Sequence, residues 1–258
     1  MDVQNPFSVR GKKILLTGGT RGLGHGLAEG FAKAGAEVVI TGTSQSVFEA
    51  AEKLAESTGG SVQGLIANLD DAASIPATYD RALELLQGQL DVLVNCAGIQ
   101  HRCPAAEFPM EQWNRIIQVN LSAVFALSQL AARTMFGQDR GGKIINIASM
   151  TSFFGSEGIP AYTASKGAVM QLTKALSNEW SGKGVQVNAI APGYMETELT
   201  ANMKSYNPAQ YEEVTRRIPM HRWGKPEDLQ GLAIFLASDA SAYITGATIP
   251  VDGGYLGK

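Results

Sequence analysis

Seven short runs rich in valine and isoleucine, "KKILLTG", "AEVVIT", "SVQGLIA", "LDVLVN", "GKIINIAS", "GVQVNAI" and "GATIPVDGG", recur along the chain. Their apolar character is continuous rather than alternating. Strands of that kind are buried on both faces, the condition of a parallel sheet covered by helices on either side. The spacers agree, since parallel neighbours need crossovers of roughly a dozen residues or more. Their patterns predict helices over Leu23–Ala34, Ser46–Ser57, Ala73–Gln87, Glu111–Phe136, Tyr162–Ser181 and Pro226–Ala237, the last opening with proline and two acids. The expected fold class is α/β: one domain built on a doubly wound sheet of seven parallel strands. No linker or internal repeat interrupts it. A polar segment from Met195 to Trp223 follows the sixth run and is expected to form a lid over a site.

With 258 residues and 45% apolar composition, the chain can bury a full core. Its net charge of -3 and lack of a basic run exclude a phosphate-backbone footprint, so no nucleic-acid partner is expected. The opening residues have no long apolar core, and the apolar stretch from Leu121 to Ala132 is broken by serine and glutamine, so no membrane span is expected and a cytoplasmic protein is. Cys96 and Cys103 are too few for a disulfide framework. With His101 they lack the ligand count of a zinc site, so no metal is expected.

The stretch "TGGTRGLGHG" joins the first strand to the first helix and carries Gly18, Gly22 and Gly24, with Thr20, Arg21 and Leu23 between them. Glycines there let the backbone turn sharply against a pyrophosphate, whose charge the helix N-terminus favours. A dinucleotide is the expected ligand. The second strand ends in "VVITGTSQS", without the acid that would hold the 2′-hydroxyl of NAD. Gly42, Thr43 and Ser44 offer room and hydroxyls, and Arg21 is placed to meet a 2′-phosphate. The residues therefore favour NADP(H) over NAD(H).

"AYTASKGAV" sets Tyr162 and Lys166 four positions apart, on one face of one helix. A phenol titrates near ~10, and a fixed cation beside it favours the phenolate. Such a pair is suited to general acid–base chemistry.

These motifs, with "NCAG", Asn120 in "VNLSAVF", Ser149 in "IINIAS", "APGYMET" and the terminal "VDGG", make the chain resemble the short-chain dehydrogenase/reductase family along essentially its whole length. The resemblance implies a single-domain Rossmann fold. It implies that Tyr162 exchanges the proton, Ser149 holds the substrate oxygen, Lys166 binds the nicotinamide ribose and lowers the tyrosine pKa, and Asn120 supports a water relay. Asn95, Ala97 and Gly98 are expected along the cofactor's inner edge, Asn68 and Leu69 near the adenine, and Pro192, Gly193 and Thr197 around the nicotinamide amide. Two positions depart from the family pattern: Cys96 replaces a second asparagine, and Asn68 replaces an aspartate.

Finer motifs, "AGIQHRCPAAEF", "RIPMHRWGKPEDLQGLAIFLAS" and "VDGGYLG", are similar to the sugar-acid branch of that family, which handles gluconate-type carboxylated polyols. This implies a small-molecule substrate, a secondary alcohol interconverted with a ketone, and Arg102 as a carboxylate ligand beside Ser149 and Tyr162. His101 adjoins it, and Met195 and Trp223 belong to the expected lid. Many members of the branch use NAD(H), so both nicotinamide cofactors stay open. A 3-oxoacyl thioester reductase is the alternative, and a non-catalytic dinucleotide-binding protein a further one. The resemblance also implies a homotetramer built on paired long helices.

Overall fold

The computed structural model describes residues 5–138, 140–197 and 207–258. Seven strands, β1 (Lys13–Leu16), β2 (Glu37–Gly42), β3 (Ser61–Ile66), β4 (Val92–Asn95), β5 (Gly142–Ile147), β6 (Val185–Pro192) and β7 (Thr248–Val251), form one sheet. Their order is β3-β2-β1-β4-β5-β6-β7, and every pairing is parallel. The continuous apolar runs have the predicted cause. Ile14, Leu16, Val38, Ile40, Val92 and Val94 pack into one core, while Leu15, Val39 and Leu93 between them pack into the other. Each of these three central strands thus feeds two cores, and neither of their faces meets water.

Helices α1 (Gly22–Lys33) and α2 (Ser46–Thr58) cover the first face together with α8 (Glu227–Ala237). The second face is covered by α3 (Ile75–Leu85), α5 (Ala123–Phe136) and α6 (Pro160–Trp180). Chain order reverses between β1 and β4, where a doubly wound sheet opens its ligand crevice at the strands' carboxyl ends.

Two elements differ from expectation. The single helix expected over Glu111–Phe136 is α4 (Met110–Ile117), a π-helical turn at Gln118–Ser122, and then α5. The span Met110–Phe136 is long and apolar enough to cross a membrane by composition, with mean hydropathy 1.2 in its best window, yet half of that window is buried within the fold. The lid holds a helix that apolar periodicity did not signal, α7 (Pro208–Arg217), started by proline at its first turn and by the Asn207 side chain accepting from the Gln210 N–H at 3.2 Å. The expected lid also includes residues 198–206, which lie outside the described residues.

Candidate active site

The β1–α1 turn is shaped by close contacts. A Cβ on Gly18 would stand 2.8 Å from the Ala97 Cα, and one on Gly24 would overlap the Gly18 carbonyl. Gly22 takes φ +57°, a backbone conformation that favours glycine, and its Cβ position would lie in ordinary contact with Thr197 Cγ2 at 3.8 Å. The cradle that a pyrophosphate needs, bare backbone at a helix N-terminus, is therefore present. Two threonines hold it. Thr17 Oγ1 accepts from the N–H groups of Cys96 (3.0 Å) and Ala97 (3.1 Å), tying the β4 turn to β1. Thr41 Oγ1 accepts from the Gly18 N–H at 3.2 Å. Sequence reasoning missed both; their signal was a hydroxyl directly after an apolar run, Ile14–Leu16 in one case and Val38–Ile40 in the other.

Around this turn Arg21, Thr43 and Ser44 are exposed, Thr20 and Leu23 partly covered, and Ser44 Oγ pairs with Ser46 Oγ at 2.8 Å. Asn68 is exposed after β3, where its Oδ1 accepts from the Asp70 N–H at 3.2 Å. Leu69 instead turns its side chain into the second core, and only its carbonyl, which accepts from Gln118 Nε2 at 3.1 Å, stays near the surface. Asn95 likewise aims inward: Nδ2 donates to Asn146 Oδ1 (2.9 Å) and Ser128 Oγ (3.1 Å), and Asn146 Nδ2 continues to Thr173 Oγ1 at 3.0 Å. This buried chain of amides and hydroxyls stiffens the sheet behind the site, and the Asn95 side chain does not edge the crevice.

The catalytic candidates converge. A Cβ on Gly98 would lie 3.5 Å from Asn120 Oδ1 and 3.7 Å from Lys166 Nζ. Asn120, fully buried in the π-helical turn, grips the backbone of Ile99: its Oδ1 accepts from the N–H at 2.8 Å and its Nδ2 donates to the carbonyl at 2.9 Å. Nδ2 also donates to Ser165 Oγ at 3.2 Å. The extra residue of the π turn rotates Asn120 into this position, a common use of such bulges. With its side chain so engaged, Asn120 fixes the β4 loop beside the site.

Ser149 caps the short turn after β5, its Oγ accepting from the Thr151 N–H at 3.1 Å, and its hydroxyl is near enough to Tyr162 to act on the phenol's pKa. Lys166 donates from Nζ to the Ile147 carbonyl at 2.6 Å and stands 5.7 Å from the Tyr162 ring centre. The lowered tyrosine pKa expected from this lysine is not found. Burial raises the Tyr162 pKa, the Ser149 hydroxyl opposes the rise, and Cys96 adds to it. The reason lies in the lysine itself, turned to a strand carbonyl and so desolvated that its own pKa falls to about 8. The Cys96 thiol is pushed up to about 11 by burial and packs against the first core, so it stays protonated at neutral pH.

On the substrate side, Arg102 is exposed and donates a single bond, Nη1 to the Glu157 carbonyl at 3.3 Å. His101 meets Phe108 edge-on at 5.5 Å. Pro192 closes β6, and Gly193 passes so near Asp252 that a Cβ would stand 2.7 Å from its Cα. Trp223 and Met195 are only 2% and 5% exposed, so they anchor the lid rather than line it. Trp223 stacks on Tyr211 at 5.0 Å and donates from Nε1 to Thr215 Oγ1 at 3.0 Å. The lid's two ends are pinned by Glu196 N–H to the Gly224 carbonyl (2.7 Å) and Gly224 N–H to the Tyr194 carbonyl (2.9 Å).

A nucleotide cradle at the crevice of a doubly wound sheet, with a phenol, a hydroxyl and an ammonium gathered beside it, defines a nicotinamide-dependent oxidoreductase. The chain belongs to the short-chain dehydrogenase/reductase family: residues 18–256 match the family model described as enoyl-(acyl carrier protein) reductase. It is 44% identical to the 2-dehydro-3-deoxy-D-gluconate 5-dehydrogenase of Dickeya dadantii (strain 3937) over 99% of this chain and 100% of that one. It is 39% identical to the gluconate 5-dehydrogenase of Gluconobacter oxydans (strain 621H), covering 96% of each. The crystal structure of a gluconate 5-dehydrogenase from Burkholderia cenocepacia J2315, in complex with NADP and tartrate, superposes with a TM-score of 0.91 at 38% identity, covering 98% of both chains.

Proposed function

We propose that the chain interconverts a secondary alcohol and a ketone on a gluconate-type sugar acid, with Asn120, Ser149, Tyr162 and Lys166 as its working residues. The observation that carries this is the gathering of Tyr162 and Lys166 on one helix face, with Ser149 near enough to act on the phenol, beside the β4 turn that borders the nucleotide cradle, since a carbonyl oxygen must meet a proton donor and a second hydrogen bond there. A nicotinamide bound in the cradle supplies or accepts the hydride. Ser149 orients the substrate oxygen, and Tyr162, kept protonated by burial, gives its proton as negative charge grows on that oxygen. Lys166 holds the nicotinamide ribose, and Asn120 keeps the Ile99 loop in place behind it.

NADP(H) is favoured as the cofactor. A side chain at Gly42 would stand 2.5 Å from Thr20 Cγ2 and 3.1 Å from Val47 Cβ, so no acid fits at the end of β2 to claim a ribose 2′-hydroxyl. Arg21 stands exposed at the N-cap of α1, where a 2′-phosphate would meet it. The active form is a cytoplasmic homotetramer on this reading, and exposed Phe125 and Phe136 on α5 support an interface.

The test is initial-rate reduction of 5-keto-D-gluconate, 2-dehydro-3-deoxy-D-gluconate-type acids and a short β-ketoacyl thioester, each with NADH and NADPH. Turnover of a sugar acid is expected, faster with NADPH. Turnover of the thioester alone would replace this reading with the acyl reductase, and no turnover at all would leave a binding protein.

A further inference from the structure

A substrate of this class reacts at one carbon and carries its charge on another, so a cation apart from Ser149 and Tyr162 is needed to align it. Arg102 supplies one guanidinium. The lid supplies a second. Arg217, at the C-terminal end of α7, lies over the ring of Tyr255 at 5.1 Å from its centre. Tyr255 in turn contacts Phe154 (5.9 Å), on the loop that begins at Ser149, and Tyr194 (5.5 Å), two residues past the end of β6. Between α7, that loop and the C-terminal residues is a cavity of about 910 Å³, whose lining includes Phe153, Phe154, Arg216, Arg217, Tyr255 and Lys258. Glu213 is its one acidic side chain.

Among the described residues, no carboxylate comes within ion-pair distance of Arg102, Arg216 or Arg217, although other surface arginines, such as Arg81, Arg115 and Arg222, are paired. Both Arg102 and Arg217 act electrostatically on the same phenol, Tyr194, pulling its burial-raised pKa back down. Both guanidiniums thus lie within electrostatic reach of Tyr194, whose ring touches Tyr255 beneath Arg217.

We propose that Arg217 recognises the carboxylate end of the substrate, in a subsite walled by Tyr255 and Phe154, with Arg102 a second cation on the far side of Tyr194. Resting on the sugar-acid reading above, this places charge recognition on the lid helix. A guanidinium offers a planar fork that fits a carboxylate bidentately, and stacking on Tyr255 holds that fork oriented. Substrate anchored there also ties α7 to the Ser149 loop, so substrates with a carboxylate hold the lid against the site.

The test uses Arg217→Gln and Arg217→Lys in the full-length protein with whichever sugar acid the parent reduces. Arg217→Gln is expected to raise KM for the acid roughly 10- to 100-fold while kcat and the NADPH dissociation constant, read by fluorescence, stay within about twofold. Arg217→Lys is expected to recover part of the loss, because charge remains and the fork does not. Arg102→Ala is expected to raise KM in the same sense. An unchanged KM in Arg217→Gln, or equal loss in KM, kcat and NADPH affinity with no recovery by lysine, would overturn the subsite alone. A parent inert toward every sugar acid would overturn the functional reading and the subsite with it.

Discussion

At Tyr162 two influences oppose one another. Burial favours the neutral phenol, and the Ser149 hydroxyl favours the phenolate; burial wins, and the pKa moves up. A protonated phenol is the form that ketone reduction consumes. Reduction is therefore expected to run at a level rate through neutral pH, whereas alcohol oxidation climbs as pH rises, because the phenol must first lose its proton. A pH profile in both directions checks this; oxidation that stays flat as reduction falls would contradict it. Tyr162→Phe removes the proton and little volume, so turnover is expected to fall by about 10²- to 10⁴-fold with NADPH binding nearly unchanged. At this scale the sequence was informative: the i, i+4 spacing does put Tyr162 and Lys166 on one helix face. The direction of the Lys166 ammonium was not legible. Its partner, the Ile147 carbonyl, lies on a strand 19 residues away, and only tertiary packing brings it there.

Elements set what such residues can do. Asn120 works from a π turn between α4 and α5, and the sequence over Glu111–Phe136 reads as one continuous helix because no glycine or proline marks the single inserted residue. Strand β5 poses a different problem. Lys143 near its start is 8% exposed, and burial together with the nearby Lys12 lowers its pKa to about 8, against the pull of Asp239. Because the unfolded chain holds this proton up to about 10.5 and the folded chain only to about 8, folding releases a proton within that window, and stability rises with pH through it. Below about 8 both states are charged and the penalty of burying the charge is constant. Replacing Lys143 with methionine removes that penalty while keeping the stem's packing. Lys143→Met is expected to stabilise the fold by roughly 1–3 kcal/mol at neutral pH and to flatten the dependence between these limits. Urea unfolding at neutral and alkaline pH measures it; a destabilised variant would mean that the ammonium has a partner worth more than its burial.

At the scale of the molecule, doubly wound topology was legible because continuous apolar strands can be satisfied only by cores on both faces, and Ile14–Leu16, Val38–Ile40 and Val92–Val94 divide their side chains between them as that requires. The lid helix α7 was not, since a helix with one buried residue, Val214, leaves almost no apolar stripe to detect. What lies beyond a single chain follows from what the fold leaves uncovered. Phe125 and Phe136, 43% and 37% exposed, stand eleven residues apart on α5, close to three full turns, and so share a face. Large apolar side chains aligned on the outside of a sheet-covering helix favour a second copy of that helix over water. The protein is expected to elute with about four times the 27.3 kDa mass of the chain. Phe125→Asp would bury a charge wherever two such helices meet, so it is expected to shift elution toward dimer or monomer with the circular dichroism of the fold retained. A parent that elutes as a monomer, or a variant with unchanged elution, would remove α5 from any interface.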